Sequence, residues 1–144
     1  MTRFKLEIIT PQRKAFDEEV DAVHVPTPDG TIEVLAHHVP LFTSLKEGEL
    51  KVTTGTKEYF LAIGGGFMEV QPNGIVTILV SRAVHANEIN EAELKKALDN
   101  AKSLIARKVK GEELTQALMA MHRSMLELKV VRRKHAPTPF GAAH

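Results

Sequence analysis

The chain has 144 residues, no cysteine, a formal net charge of +1 and a hydrophobic content of 43%. That length suits one domain or a small domain with an appendage, and the balanced charge excludes wholesale attraction to nucleic acid or an anionic membrane. Without cysteine there is no disulfide scaffold and no thiolate zinc site.

The opening stretch MTRFKLEIIT lacks a long apolar segment and an Arg/Ser-rich transit character. No apolar run approaches the roughly 20 residues of a membrane span, so a cytosolic or membrane-peripheral protein with no direct membrane insertion is expected. Composition then changes along the chain. The first 85 or so residues hold most of the glycines, the only tyrosine and all but one of the phenylalanines. Beyond them alanine, leucine, lysine and glutamate dominate. This predicts an α+β chain: an N-terminal antiparallel β-sandwich over residues 1–86, a C-terminal α-helical hairpin over 87–135, and a tail over 136–144.

Within the first part, FKLEII alternates with Phe4, Leu6 and Ile8 on one face. VDAVHV reads as the next strand, with Val20, Ala22 and His24 on one side and Val23 and Val25 on the other. PTPDG is a turn, because proline fixes φ and Gly30 supplies a positive one. TIEVL, LFTSL, ELKVTT, YFLAI, FMEV and IVTILV follow, separated by turn signals, and PNG before the last is the strongest of them. Eight or nine such strands predict a sandwich or a flattened barrel.

In the second part, Asn90 with Glu93 three residues on resembles a capping box. Leu94, Ala97, Leu98, Ala101 and Leu104 or Ile105 follow helical spacing, continued by Lys108 or Val109, and Gly111 is expected to end this helix. Glu112 and Glu113 open a second helix whose apolar stripe is Leu114, Ala117, Leu118, Met121, Met125, Leu128 and Val131. After His135 the segment APTPFGAAH cannot continue it.

Candidate chemistry is sparse. Gly64 and Gly66 match part of a dinucleotide fingerprint, but Glu69 stands where its third glycine belongs and a strand pattern follows. A tight corner between closely approaching strands is the better reading of the triplet. His37 and His38 are sequence neighbours, so on a strand they would point to opposite faces, and His24 and His85 complete no metal-ligand spacing. Ser44, Ser81, Ser103 and Ser124 sit in no nucleophile elbow. No catalytic residue, metal or cofactor is therefore expected. Charge is more informative: Lys129, Arg132, Arg133 and Lys134 crowd the end of the second helix, with His122 and Arg123 earlier. Cations there stabilise a helix C-terminus, and four of them also suit an acidic partner.

The runs FDEEVDAVHVPTPDGTIEVLAHHVPLFTSLKEGELKV, GGGFMEV, VTILVSRA and EINEAEL together resemble the epsilon subunit of rotary F-type ATP synthases, the equivalent of the mitochondrial delta subunit, over about residues 3–134. The resemblance implies a non-catalytic central-stalk rotor subunit that couples gamma to the c-ring. It implies a c-ring and gamma contact through Asp29, Gly30, Thr31, His38, Val39, Pro40 and Leu41. It also implies that the hairpin, when extended into the alpha/beta catalytic head, inhibits ATP hydrolysis. There Arg123, Lys129, Arg132, Arg133 and Lys134 would meet an acidic beta-subunit loop.

Some bacterial members bind ATP at the hairpin through Ile or Leu, Asp, two variable residues, Arg and Ala. Here the stretch is Ile89, Asn90, Glu91, Ala92, Glu93 and Leu94, with an amide for the carboxylate and a glutamate for the arginine. A glutamate repels a triphosphate, so no ATP binding, or only weak binding, is expected. The resemblance implies a peripheral position on the cytoplasmic face of a bacterial plasma membrane, with the chloroplast thylakoid as the alternative. A β-sandwich adaptor whose hairpin binds another acidic protein is the competing reading.

Overall fold

Alternation along the first strand sets the pattern of the sandwich. In a computed structural model of the chain, which describes residues 2–135, β1 (Phe4–Ile9) buries Phe4, Leu6 and Ile8 on one face. The segment 136–144 lies outside the described residues, as do the side chains of Lys134 and His135.

β2 (Lys14–Val20) runs antiparallel to β1, aligning Phe16 with Ile8 and Val20 with Phe4. It escapes the sequence reading because Glu18 stands at an inward parity between Phe16 and Val20 and breaks the alternation. The run expected as one strand is also divided. Val20 closes β2 in the first sheet, and β3 (Ala22–Thr27) begins the second sheet two residues later. Asp21 holds this switch. Its N–H donates to the Thr53 carbonyl at 2.9 Å, and its carboxylate accepts from Gly55 N at 2.6 Å and Arg3 Nε at 3.2 Å.

The remaining strands are β4 (Gly30–Leu35), β5 (Leu41–Leu45), β6 (Gly48–Thr54), β7 (Lys57–Ile63), β8 (Gly66–Val70), β9 (Val76–Val80) and β10 (Ala83–His85). The first sheet has the order β2-β1-β9-β8-β5 and the second β10-β7-β6-β3-β4. The expected sandwich is thus present, with ten strands. One pairing departs from the all-antiparallel expectation: β1 and β9 are parallel, with Leu6 opposite Val76 and Ile8 opposite Ile78. The cause is connectivity. The chain leaves the first sheet after β2 and returns to it, so nothing forces β9 to run against β1.

Leu6, Ile8, Val20, Met68 and Ile78 from the first sheet meet Val23, Val25, Leu50, Val52, Leu61 and Ile63 from the second in one apolar core. Inward positions alternate with outward ones along each strand, as face-to-face packing requires.

The glycine triplet sits where the chain passes from β7 in the second sheet to β8 in the first. The returning passage from β9 to β10 lies alongside it at Ser81 and Arg82. Gly64 N donates to Arg82 O at 2.8 Å and Ser81 N to Gly65 O at 3.0 Å, so the two passages are stitched together. A Cβ on Gly66 would run into the Leu79 carbonyl oxygen and come within 2.8 Å of Val80 Cα; one on Gly64 would meet Ser81 Oγ. Close backbone approach therefore demands glycine here, and the expectation of a tight corner holds.

The described chain divides into two compact units, the first ending at His85 and the second beginning at Ala86. The second opens with a 3-10 turn (Ala86–Glu88) and contains α1 (Glu91–Ala106) and α2 (Glu112–His135), which pack together as a hairpin. Asn90 caps α1: its side-chain oxygen accepts from Ala92 N at 3.0 Å and Glu93 N at 3.3 Å.

The end of α1 differs from expectation. Arg107 N bonds Ser103 O and Lys108 N bonds Ile105 O, and Lys108 takes a left-handed φ of 59°, closing the helix before the glycine. Gly111 instead opens α2, its carbonyl accepting from Thr115 N at 3.1 Å. The buried stripe of α2 is also narrower than expected. Ala117, Ser124, Val130 and Val131 are buried and Leu114, Met121 and Leu128 half-buried, while Leu118 and Met125 are exposed. The small Ala117 and Ser124, seven residues apart, let the helices approach, so the seam runs through Ser124 and leaves its larger neighbour Met125 outside.

Two measurements follow from this packing. Gly66→Ala should destabilise the protein by about 3 kcal/mol, since the corner must open to admit a methyl group, and Gly65→Ala by less than about 1 kcal/mol. Equilibrium urea unfolding of the two variants gives the comparison; equal losses would contradict the corner.

The second concerns Asp21, whose carboxyl is held below its usual pKa first by the Gly55 N–H and then by Arg3. A depressed carboxyl stabilises the fold above the unfolded-state value of about 3.9, and the gain is lost as pH falls through the folded value. Asp21→Asn should therefore lower Tm at pH 7, and its deficit should shrink at pH below about 4. A deficit that is constant from pH 7 to the acid limit would contradict this role.

Candidate interaction surfaces

The β3–β4 hairpin turns at Pro28 and Asp29. Thr27 Oγ1 donates to Gly30 O at 2.6 Å and accepts from Asp29 N at 3.2 Å, and Gly30 takes a φ of 126°. A side-chain hydroxyl and a residue free of Cβ strain thus set a turn that presents Asp29, Gly30 and Thr31 to solvent.

Beyond β4 the chain bends again. His38 N bonds Leu35 O at 3.2 Å, and His37 occupies the left-handed region with a φ of 66°. The His38 ring places Nδ1 2.7 Å from Val39 O; a carbonyl only accepts, so this nitrogen carries the proton. Val39 is 70% exposed, whereas Leu41 turns back to pack on the core. The turn at 29–31 and the loop at 38–41 are the residues expected to face the c-ring and gamma. They stand at opposite ends of β4, about 17 Å apart by strand rise, and so form two surfaces.

Sequence reasoning overlooked a third surface, on the outer face of the first sheet. Phe42 of β5 (68% exposed), Phe67 of β8 (50%) and Leu79 of β9 (51%) form an apolar strip. The two phenyl rings stack with centroids 5.6 Å apart, and Phe67 stands opposite Leu79 in the register. Strand parity carries the signal: with Met68 and Val70 inward, Phe67 must face out, and with Leu41 and Leu45 inward, so must Phe42. A contiguous exposed apolar strip on a sheet is a candidate contact surface.

His24 and His85 have structural partners. His24 Nε2 lies 2.7 Å from Glu33 Oε2, and His85 Nε2 lies 2.7 Å from Ala15 O, its ring stacked on Phe16. Among the described residues no three His, Asp or Glu side chains are grouped to hold a metal.

On the hairpin, Lys129, Arg132 and Arg133 line one hollow with Lys102 of α1, a residue the sequence reading did not single out. Arg123 is not part of it. Nine residues before Arg132, at about 100° per residue, it emerges on the opposite side of α2. The Lys134 side chain lies outside the described residues. Asn90 and Glu93, at the stretch compared with the ATP signature, are engaged at the helix start. There the asparagine side chain accepts two backbone N–H groups, and the glutamate is exposed in the first turn.

Comparison with known proteins agrees with this architecture. Residues 3–86 match the family model of the ATP synthase, Delta/Epsilon chain, beta-sandwich domain. The ATP synthase epsilon chain of Dehalococcoides mccartyi is 42% identical over 138 residues, covering 94% of this chain and 98% of that one. The epsilon chain of Syntrophobacter fumaroxidans is 39% identical over 131 residues, covering 91% and 97%.

Among solved structures, a chain of the Euglena gracilis mitochondrial ATP synthase (OSCP/F1/c-ring, rotational state 1) superposes with a TM-score of 0.65. It is 25% identical, with 100% of this chain and 83% of that chain covered. A chain from the Tetrahymena thermophila central stalk/c-ring structure shares the fold alone, with a TM-score of 0.60 at 12% identity, covering 90% and 97%. A sandwich match over more than half of the chain, with epsilon-chain relatives alike almost from end to end, assigns this protein to the delta/epsilon-chain family of ATP synthases.

Proposed function

We infer that the chain is a non-catalytic subunit of the ATP synthase central stalk, in which the sandwich joins gamma to the c-ring. The observation that carries this reading is the near end-to-end similarity to epsilon chains, 42% identity over 138 residues. The neighbouring solved assemblies, described by their c-ring and central stalk, support the location. Two exposed turns at opposite ends of β4 suit a subunit held between two partners: the Asp29, Gly30 and Thr31 turn on the c-ring, and the 38–41 loop on gamma. The Phe42, Phe67 and Leu79 strip adds apolar area beside that loop, because Leu41 and Phe42 are consecutive in β5. The subunit is then peripheral, on the cytoplasmic face of the bacterial plasma membrane. No helix among the described residues is long and apolar enough to cross one.

The hairpin supplies regulation in this reading. Lys129, Arg132 and Arg133 present clustered positive charge that fits an acidic loop of the beta subunits, with Lys134 continuing the run and Arg123 on the other side of the helix. Contact through these groups restrains ATP hydrolysis. ATP itself is not a ligand of the 89–94 stretch, where Glu93 adds negative charge.

Phe42→Asp with Phe67→Asp should leave the fold intact, since both rings face solvent, and should abolish co-purification with gamma. Undiminished recovery of gamma would remove the strip from the interface. Replacing Lys129, Arg132 and Arg133 by glutamine in the reconstituted enzyme should raise ATP hydrolysis as much as deleting residues after about Asn87 does. Both effects should be largest at low salt. Hydrolysis unchanged by the deletion would overturn the inhibitory role.

A further inference from the structure

The hollow between α1 and α2 has two chemically distinct parts. Leu98, Met125 and Leu128 form an apolar floor, and Lys102, Lys129, Arg132 and Arg133 stand around an open hollow of about 490 Å³. That volume falls within the range of small-molecule sites, which run from about 300 to 1,000 Å³. No carboxylate lines it. Its cations also differ from those of the sandwich, where Arg3, Lys5, Lys14, Lys51 and Arg82 each hold an aspartate or glutamate within 3.3 Å. Lys102, Lys129 and Arg132 have no ion-pair partner among the described residues.

Clustered cations repel one another, and Lys102, Lys129 and Arg132 form such a cluster from two helices without an ion-pair partner among the described residues. An anion placed among them relieves the repulsion. An inorganic anion, however, would leave the leucines and the 53% exposed Met125 in water. The ligand that satisfies both parts carries its negative charge at one end and an apolar chain at the other. Methionine's unbranched, flexible side chain suits a floor that adapts to such a chain.

We propose that this hollow binds a single anionic amphiphile, a phosphate-headed molecule with an acyl tail taken up as a monomer. The phosphate lies among Lys102, Lys129, Arg132 and Arg133, and the tail lies on Leu98, Met125 and Leu128. Three of these cations are the ones assigned above to the restraint of hydrolysis, so a bound amphiphile would withdraw them from that contact. This consequence rests on the inhibitory reading; the binding itself does not.

The test is a methyl NMR titration of the full chain with dihexanoyl-phosphatidylglycerol below its micelle concentration. Inorganic phosphate, dihexanoyl-phosphatidylcholine and ATP serve as comparison ligands. Saturable shifts of the Met125, Leu98 and Leu128 methyl groups are expected with phosphatidylglycerol. Binding should weaken at least tenfold in the paired variant Lys129→Gln, Arg132→Gln, and at least tenfold in Met125→Gln, which keeps every charge. Equal affinity for inorganic phosphate would reduce the site to charge alone, and equal affinity for phosphatidylcholine to apolar contact alone. Tighter binding of ATP would make it a nucleotide site. Affinity unchanged by Met125→Gln would mean surface adsorption. Any of these four results overturns the proposal. In the assembled enzyme the same amphiphile should raise hydrolysis. Binding with these residue dependences but no change in hydrolysis would keep the site and overturn the inhibitory reading.

Discussion

Two passages of chain cross between the sheets side by side, at 64–66 and at Ser81 and Arg82, and their contact is the constraint on which the sandwich rests. Each passage uses its backbone to satisfy the other, which leaves no room for a Cβ on Gly66. The corner lets β7 and β10 pair in one sheet while their continuations β8 and β9 pair in the other. The core then closes between two layers that these passages help to join covalently. The same corner sets the outer surface. By fixing the parity of β8 and β9, it turns Phe67 and Leu79 outward, and the pairing of β5 with β8 brings Phe42 beside them. An interaction surface is thus a consequence of how the chain turns between layers.

Charge is distributed in two contrasting ways. On the sandwich, lysines and arginines sit in cross-strand pairs such as Lys5 with Asp17 and Lys51 with Glu58, at 3.0 and 3.3 Å. Exposed pairs of this kind contribute little stability, but they leave those surfaces electrically quiet. The hairpin gathers Lys102, Lys129 and Arg132 without such partners among the described residues. A subunit built this way offers apolar contact on its sheet and uncompensated positive charge on its helices. Those are different means of recognition, suited to a permanent partner and to a reversible one.

Much of this was legible in the sequence wherever apolar alternation was uninterrupted. β1, β6, β7, β8 and β9 follow directly from their residue patterns, and the glycine corner from the strand patterns on both sides of it. β2 was hidden by an inward-parity glutamate, and β10 by its length of three residues. The division of VDAVHV at Asp21 could not be read, because the bonds that enforce it come from Thr53, Gly55 and Arg3, remote in sequence. In the hairpin, Gly111 suggested a helix stop, yet Lys108 accepted the left-handed conformation and ended α1 first. Spacing within α2 alone could not choose between Ser124 and Met125 for the seam; the approach of α1 decides that. Nor could it reveal Lys102, which joins the basic cluster only once two helices are packed. The separation of Asp29 from His38 was readable in principle, since a strand between two turns puts them at opposite ends.

The claim that joins the corner to function is that the outer face of β5 and β8 is covered by another subunit. Hydrogen–deuterium exchange compares the chain alone with the chain in the assembled ATP synthase. Amides of the 38–45 segment, which ends in the edge strand β5, should slow strongly on assembly, while those of β6, already inside a sheet, should change little. Equal exchange of the 38–45 segment in the free and assembled states would contradict it.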